Sequence, residues 1–190
     1  MKKAKVIFLD RDGVINRDRG SEYIDRWKKF RFLPGSLRAL KLLKENQYKV
    51  VVVSNQAGIA KGSYSLRDLQ DITRRMKKAV KVRGGRLDAI YYCLHQKEDR
   101  CRCRKPKTAL FRKAKKRFDF QYKEAFVIGD SQRDIAAGKI LRSRTILVLS
   151  GREKLHRRHI WDPQPDMIKK NLLEAVLWIL RQDGRLDRST

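Results

Sequence analysis

The sequence has no apolar run approaching the roughly 20 residues that a bilayer-spanning helix needs. Its longest stretches, such as Val50 to Val53 and Ala175 to Leu180, span a handful of residues, so a membrane-crossing helix is excluded. Near the start, Val6-Ile7-Phe8-Leu9 is cut short by Asp10, whereas a secretory core takes about 7 to 15 apolar residues. A cytoplasmic location is therefore expected. Cysteine is scarce: the chain has 3, all between Cys93 and Cys103, an odd and clustered set that makes a poor disulfide framework and suggests a metal instead. Acidic residues are also few, 21 against 48 Lys and Arg, for a net charge of +27. Such a surface field favours polyanions. There is no internal repeat and no low-complexity tract beyond the charge bias. What remains is 190 residues, 41% of them hydrophobic, enough for one core. The expectation is one domain over residues 1–190, acting as a monomer.

Apolar patterning alternates between two periods. Lys5 to Leu9, Lys49 to Val53, Leu87 to Tyr92, Ala125 to Ile128 and Thr145 to Leu149 read as short strands, being continuous or nearly continuous apolar runs rich in β-branched residues. Between them, Leu37, Leu40 and Leu43 recur at helical spacing after Pro34-Gly35-Ser36. A longer helix carries Leu66, Leu69, Ile72, Met76 and Val80, opened by Ser65-x-x-Asp68 as a capping box and ended by Gly84-Gly85. Leu110, Phe111, Ala114 and Phe118 mark a third helix and Ile135 to Leu141 a fourth. Leu172, Val176, Leu177 and Leu180 form the stripe of a closing helix. Strands alternating with helices predict a doubly wound α/β fold on a parallel sheet. Ser150 to Asp166 reads as loop, and Gly184 to Thr190 as a fraying tail.

In such sheets ligands bind beyond the carboxyl ends of the strands, and the polar residues there form a coherent set. The first strand delivers Asp10 and Asp12, the second Ser54 and Asn55, and the fourth Asp130, with Asp134 one helical turn later. Crowded carboxylates repel unless a cation neutralises them, and hard oxygen ligands favour Mg²⁺. Asp10 is the candidate nucleophile toward phosphorus. Asp12, one residue removed, is the candidate general acid for the leaving alcohol and then base for the incoming water. Gly13 lets backbone amides approach the phosphoryl oxygens, Ser54 and Asn55 can donate to them, and Lys105 can offset their charge. Asp134 either reaches the metal through water or caps its own helix. A lone Asp-x-Asp is usually a solvated surface pair; it is the agreement of several strand ends that points to catalysis.

Four ordered segments carry a resemblance: Phe8-Leu9-Asp10-Arg11-Asp12-Gly13-Val14, Val53-Ser54-Asn55-Gln56-Ala57-Gly58-Ile59-Ala60, Cys101-Arg102-Cys103-Arg104-Lys105-Pro106 and Ile128-Gly129-Asp130-Ser131-Gln132-Arg133-Asp134. Over residues 5–150 the chain resembles the haloacid dehalogenase superfamily, and more narrowly its heptose bisphosphate and histidinol-phosphate phosphatases. The resemblance implies a haloacid dehalogenase-like, Rossmann-like sheet with a minimal cap, and a Mg²⁺-dependent phosphatase with a phosphorylated Asp10 and an acid and base at Asp12. It implies Mg²⁺ held by Asp10, Asp130 and the backbone carbonyl at Asp12. The substrate it implies is a phosphorylated sugar, the C7 phosphate of a heptose bisphosphate in nucleotide-heptose and lipopolysaccharide precursor synthesis. Histidinol phosphate is the alternative, followed by a nucleic-acid end or a polyanion bound without turnover. Asn16 to Phe32, with Tyr23, would form the small cap or substrate loop.

Cys93-x-His95 and Cys101-x-Cys103 supply three thiols and one imidazole, the number and kind of ligands in a closed tetrahedral Zn²⁺ site. On pattern alone, reduced buried cysteines are the alternative; the resemblance implies a zinc loop placed to position Arg104 and Lys105 at the phosphate. His156 and His159 match no motif and read as surface residues. From Lys97 to Arg117 eleven basic residues stand against two acidic ones, either as an electropositive rim to the active site, as a nucleic-acid surface or as a solvated face.

Overall fold

A computed structural model of the chain describes residues 3–18, 20 and 22–186. The strands are β1 (Val6–Leu9), β2 (Lys49–Asn55), β3 (Ala89–Cys93), β4 (Phe126–Gly129), β5 (Arg144–Val148) and β6 (Met167–Lys169). They alternate with the helices α1 (Ser36–Glu45), α2 (Leu66–Val82), α3 (Ala109–Arg117), α4 (Gln132–Ile140) and α5 (Leu172–Gln182). All five strand pairings are parallel, in the order β3-β2-β1-β4-β5-β6. The chain therefore winds outward from β1 to one edge and then from β4 to the other. The reversal falls between β1 and β4, where Asp10 donates its backbone N–H to Ile128 O at 3.1 Å. A crevice opens at this point in doubly wound sheets.

Strand alternation divides the core. Ile7 and Leu9 of β1 face a cluster with Leu40 and Leu43 of α1, Ile72 and Met76 of α2, and Val176 and Ile179 of α5. Val6 and Phe8 face the opposite cluster, with Phe111 and Ala114 of α3 and Ala137 of α4. Burial on both faces explains why β1 and β2 read as unbroken apolar runs. The capping box of α2 forms: Asp68 N donates to Ser65 Oγ at 3.2 Å and Ser65 N to Asp68 Oδ2 at 2.9 Å.

Several local expectations shift. β6 has only three residues, all half-buried, too few to show a period, so nothing in the pattern announced it. The segment read as a loop from Ser150 to Asp166 contains a short 3-10 helix, Leu155–Ile160. The buried stripe of α5 is Leu172, Ala175, Val176, Ile179 and Leu180, with Leu177 turned half away. In the tail, Gly184 N and Arg185 N still bond to Arg181 O and Leu180 O, while residues 187–190 lie outside those described. No described helix is long and apolar enough to cross a membrane.

The end of α5 is tied to the amino-terminal side of the sheet through Asp183, which accepts from Lys5 Nζ at 2.5 Å and from the Tyr48 hydroxyl. Burial alone would raise this carboxyl, but the two hydrogen bonds outweigh it and hold its pKa below the ordinary value. A depressed folded-state pKa adds stability that is present above the unfolded value and is lost as pH falls through the folded one. Asp183→Asn should therefore cost about 1–3 kcal/mol at pH 7. In urea melts at pH 7 and at pH 3, the gap between wild type and variant should narrow at the lower pH.

Candidate active site

The carboxyl ends of β1, β2 and β4 converge as the strand reading required, and a buried lysine from a distant loop joins them. Lys105 is 3% exposed. Its ammonium donates to Val53 O at 2.6 Å and lies 3.1 Å from Asp10 Oδ1 and 2.5 Å from Asp134 Oδ1. An ammonium has three N–H bonds, and these three acceptors use them all. Burial pulls the Lys105 pKa down, yet the two carboxylates outweigh it and raise it, so the group stays charged. Asn55 secures the loop, its Oδ1 accepting from Lys105 N at 3.0 Å and its Nδ2 donating to Lys105 O at 3.3 Å. The acceptor and one donor of its amide thus hold this loop, and Asn55 also lines the cleft.

Asp10, Asp130 and Asp134 each place a carboxylate oxygen within 4.8 Å of the others. Burial raises the Asp10 pKa, Lys105 opposes this, and Asp134 adds to it. Asp130 is raised well above its ordinary value by burial and then by the Asp10 and Asp134 charges; the Arg152 amide, 2.9 Å from its Oδ2, pulls the other way. Three carboxylates facing one ammonium carry a surplus of negative charge, the situation that a divalent cation relieves. Asp134 already has partners for both oxygens. Its Oδ2 accepts from Ser131 Oγ at 2.6 Å and Ser131 N at 3.2 Å, closing the capping box of α4, so of the two expectations for Asp134 the cap is formed.

Asp12 points elsewhere. Its carboxylate accepts from Arg11 Nε at 3.1 Å and Nη2 at 3.0 Å, from Asn16 Nδ2 at 2.8 Å and from Gln56 Nε2 at 2.8 Å. Burial would raise its pKa, but the Arg11 guanidinium and the two amides prevail and hold it below the ordinary value. Gln56 is fixed in turn, donating to Ser54 Oγ at 3.0 Å and accepting from the Tyr64 hydroxyl at 2.6 Å. Gly13, at φ 79°, lies against Asp130: a Cβ there would fall 2.1 Å from Asp130 Oδ2. Its N–H bonds to Asn16 O at 2.7 Å. The missing side chain makes room for the Asp130 carboxylate.

These groups floor a cleft of about 630 Å³, with Tyr23, Lys61, Arg104, Arg133 and Arg152 among its walls. Asn16 bridges to Asp12 and to Phe32, pinning both ends of the segment that carries Tyr23. Residues 19 and 21 of that segment lie outside those described. Arg152 reaches back to Asp18 Oδ2 at 2.8 Å. Reading by sequence missed the parts played by Arg11, Gln56, Tyr64 and Arg152. The first two stand inside the quoted motifs, while Tyr64 and Arg152 carry no local signal. His156 and His159 are exposed.

The loop leading from β3 to Lys105 holds the cysteines. Five separations among Cys93 Sγ, His95 Nδ1, Cys101 Sγ and Cys103 Sγ lie between 3.2 and 3.7 Å. Tetrahedral zinc with Zn–S near 2.3 Å separates its ligands by about 3.8 Å, whereas a disulfide would need sulfurs about 2.05 Å apart. The four groups fit a metal ion, and the cysteines are free thiols. Burial lifts the Cys93 pKa to about 12. Burial would also raise Cys101, but hydrogen bonds from the Cys103 and Arg104 backbone prevail and lower it to about 7. Arg104 Nη1 donates to His95 O at 3.1 Å, which couples the loop to the cleft wall. Metal analysis of the purified chain should find one zinc, and Cys103→Ser should lose it and open residues 94–104 to proteolysis. A metal-free, protease-resistant loop in the wild type would remove the assignment.

Residues 102–175 match the HAD-hydrolase-like family. The chain is 38% identical to the D-glycero-β-D-manno-heptose-1,7-bisphosphate 7-phosphatase of Helicobacter pylori (strain J99), over 92% of this chain and 97% of that protein. With the enzyme of the same name from Neisseria meningitidis serogroup A it shares 36% identity, over 95% and 97%. Among solved structures, the D,D-heptose 1,7-bisphosphate phosphatase of B. bronchiseptica, complexed with magnesium and phosphate, superimposes with a TM-score of 0.86 at 31% identity, covering 94% of this chain and 99% of that one. The carboxylate-lined switch point, the buried lysine and the Cys/His loop thus sit in a chain that belongs to the heptose-bisphosphate phosphatase family of haloacid dehalogenase-like hydrolases.

Proposed function

We propose that the chain removes the C7 phosphate of D-glycero-β-D-manno-heptose 1,7-bisphosphate through a phosphorylated Asp10, as one domain acting as a monomer in the cytoplasm on nucleotide-heptose precursors. The observation that carries this reading is the placement of Asp10 at the floor of a polar cleft, held by Lys105 and beside Asp130.

Mg²⁺ would be held by Asp10, Asp130 and the backbone carbonyl of Asp12, and when bound it reduces the repulsion between a carboxylate nucleophile and a phosphate dianion. Lys105, with every proton already directed, is a positioning residue: it fixes Asp10 Oδ1, and its charge favours the added negative charge nearby. In the first step an Asp10 oxygen attacks phosphorus and the bond from phosphorus to O7 breaks. Asp12 gives its proton to the departing O7. At rest Arg11 keeps Asp12 ionised; the negative charge of an arriving phosphate raises its proton affinity, so that it takes up that proton from solvent before the bond to O7 breaks. In the second step Asp12 takes a proton from water, the water oxygen attacks phosphorus, and the acyl phosphate bond breaks to return the Asp10 carboxylate and release phosphate. Ser54, buried at the cleft floor, stands with Gly13 as a contact near the transferring group. Arg104, Lys61 and Arg133 on the walls suit the second phosphate.

A panel of heptose bisphosphate, histidinol phosphate and a 3'-phosphorylated oligonucleotide tests the substrate, with the highest kcat/KM expected for the first. Preference for either of the others would reject the substrate while leaving the chemistry. Asp10→Asn should lower kcat by about 10³-fold or more with unchanged folding, and retained turnover would sink the nucleophile assignment. Gly151 offers an independent check, because a Cβ there would lie 2.0 Å from Asp130 Oδ2. Gly151→Ala should shift that carboxylate, raise the Mg²⁺ concentration needed for half-maximal rate, and lower kcat by about 10²-fold with little change in Tm.

A further inference from the structure

The cleft accounts for almost none of the chain's charge. Its lining carries seven basic and six acidic side chains, against 48 and 21 in the chain. The expectation that the basic residues from Lys97 to Arg117 rim the active site is only partly met: Lys97, Arg104 and Lys105 line it, while those on α3 do not.

The surplus is dense at the β3 end of the sheet. β3 is an edge strand bonded to β2, with α2 packed on one face of the sheet and α3 on the other. These two helices hold eleven basic and two acidic residues. Both acids have local partners, Asp68 in the capping box and Asp71 with Arg74 and Arg75. Lys77, Lys78, Lys81, Arg112, Lys113 and Lys116 are exposed, and none has a carboxylate within ion-pair distance among the described residues. Between the two ridges, a second cavity of about 530 Å³ runs between α2 and β3. Leu66, Leu69, Tyr92 and Leu94 line it, with Arg74 and Lys77 at its edge. On the other side of β3 the half-buried Tyr91 ring lies under Lys113 Nζ, 5.5 Å from its centroid.

We propose that this edge is a binding surface for single-stranded nucleic acid, with phosphates along the two lysine-rich ridges and an unstacked base in the apolar groove against Tyr92. Charge complementarity selects a polyanion. The groove selects among polyanions: a flat apolar base face fits a concave apolar slot, and a single strand offers it without unstacking, whereas a duplex does not. A second copy of the chain, also at +27, is repelled from this face. An anionic membrane takes up convex apolar side chains, while these face into a hollow. The surface lies outside the cleft, so the proposal stands or falls independently of the phosphatase reading.

Fluorescence anisotropy with a labelled 20-nucleotide oligouridylate tests it, beside a duplex of equal length and phosphatidylglycerol vesicles, between 50 and 200 mM salt. The single strand should bind more tightly than the duplex, with log Kd rising by about 3–4 per log unit of salt, as for five or so phosphate contacts. A K77Q/K78Q/K113Q/K116Q variant should weaken binding about tenfold or more with phosphatase rates unchanged. Leu66→Glu, which charges the groove from an exposed position, should weaken it with Tm unchanged. No salt-dependent binding, native affinity in the lysine variant, or duplex or vesicles bound as tightly as the single strand would each overturn the proposal.

Discussion

The site depends on one buried ammonium. Lys105 reaches from a loop of its own to the ends of β1 and β2 and to the first turn of α4, and the carboxylates it meets there could not lie so close without it. Removing one partner of a buried ion pair costs about 3–5 kcal/mol because the other is left unpaired in low dielectric. The loop that delivers Lys105 is therefore held at several points. The Asn55 amide clamps its backbone, and the Cys/His cluster draws the residues before it together. A surface-exposed lysine with the same charge would be screened and free to turn; here every N–H has an acceptor.

Two neighbouring aspartates are set apart by their surroundings. Burial, with like charges beside it, raises the pKa of Asp10; Asp12 is wrapped by a guanidinium and two amides that outweigh burial and lower its pKa. Placing titratable groups in opposite environments is how one site supports both attack on phosphorus and proton transfer. Arg11 serves this division from the interior, at 1% exposure, and the side chains that hold Asp12 come from the loops that follow β1 and β2. The space around Asp130 is shaped by absence: two glycines, Gly13 and Gly151, approach its carboxylate from different loops, so backbone is its immediate wall.

The chain keeps its chemistry and its surface field apart. The cleft is close to charge-balanced, as a pocket that must both hold a cation and admit a phosphate requires, while the unpaired lysines stand on the outer faces of α2 and α3. Open sheet edges are commonly guarded by charge against strand addition, and β3 is flanked in this way.

The residue pattern alone determined the alternation of strands and helices, the order in which Asp10, Asp12, Ser54, Asn55, Asp130 and Asp134 leave the strand ends, and the close grouping in the chain of the three cysteines and His95. These follow from burial periodicity and from ligand chemistry carried by neighbours in the chain. The three residues of β6 were too short to show a period, and Leu177 fell off its stripe because a helical face is chosen by what packs against it. Only the tertiary structure decided that Lys105 lies between Asp10 and Asp134, that Tyr64 and Arg152 brace the site, that Asn55 clamps the Lys105 backbone, and that α2 and α3 share one edge. Such pairings join residues far apart in sequence, and sheet order brings them together at distances that no local pattern encodes.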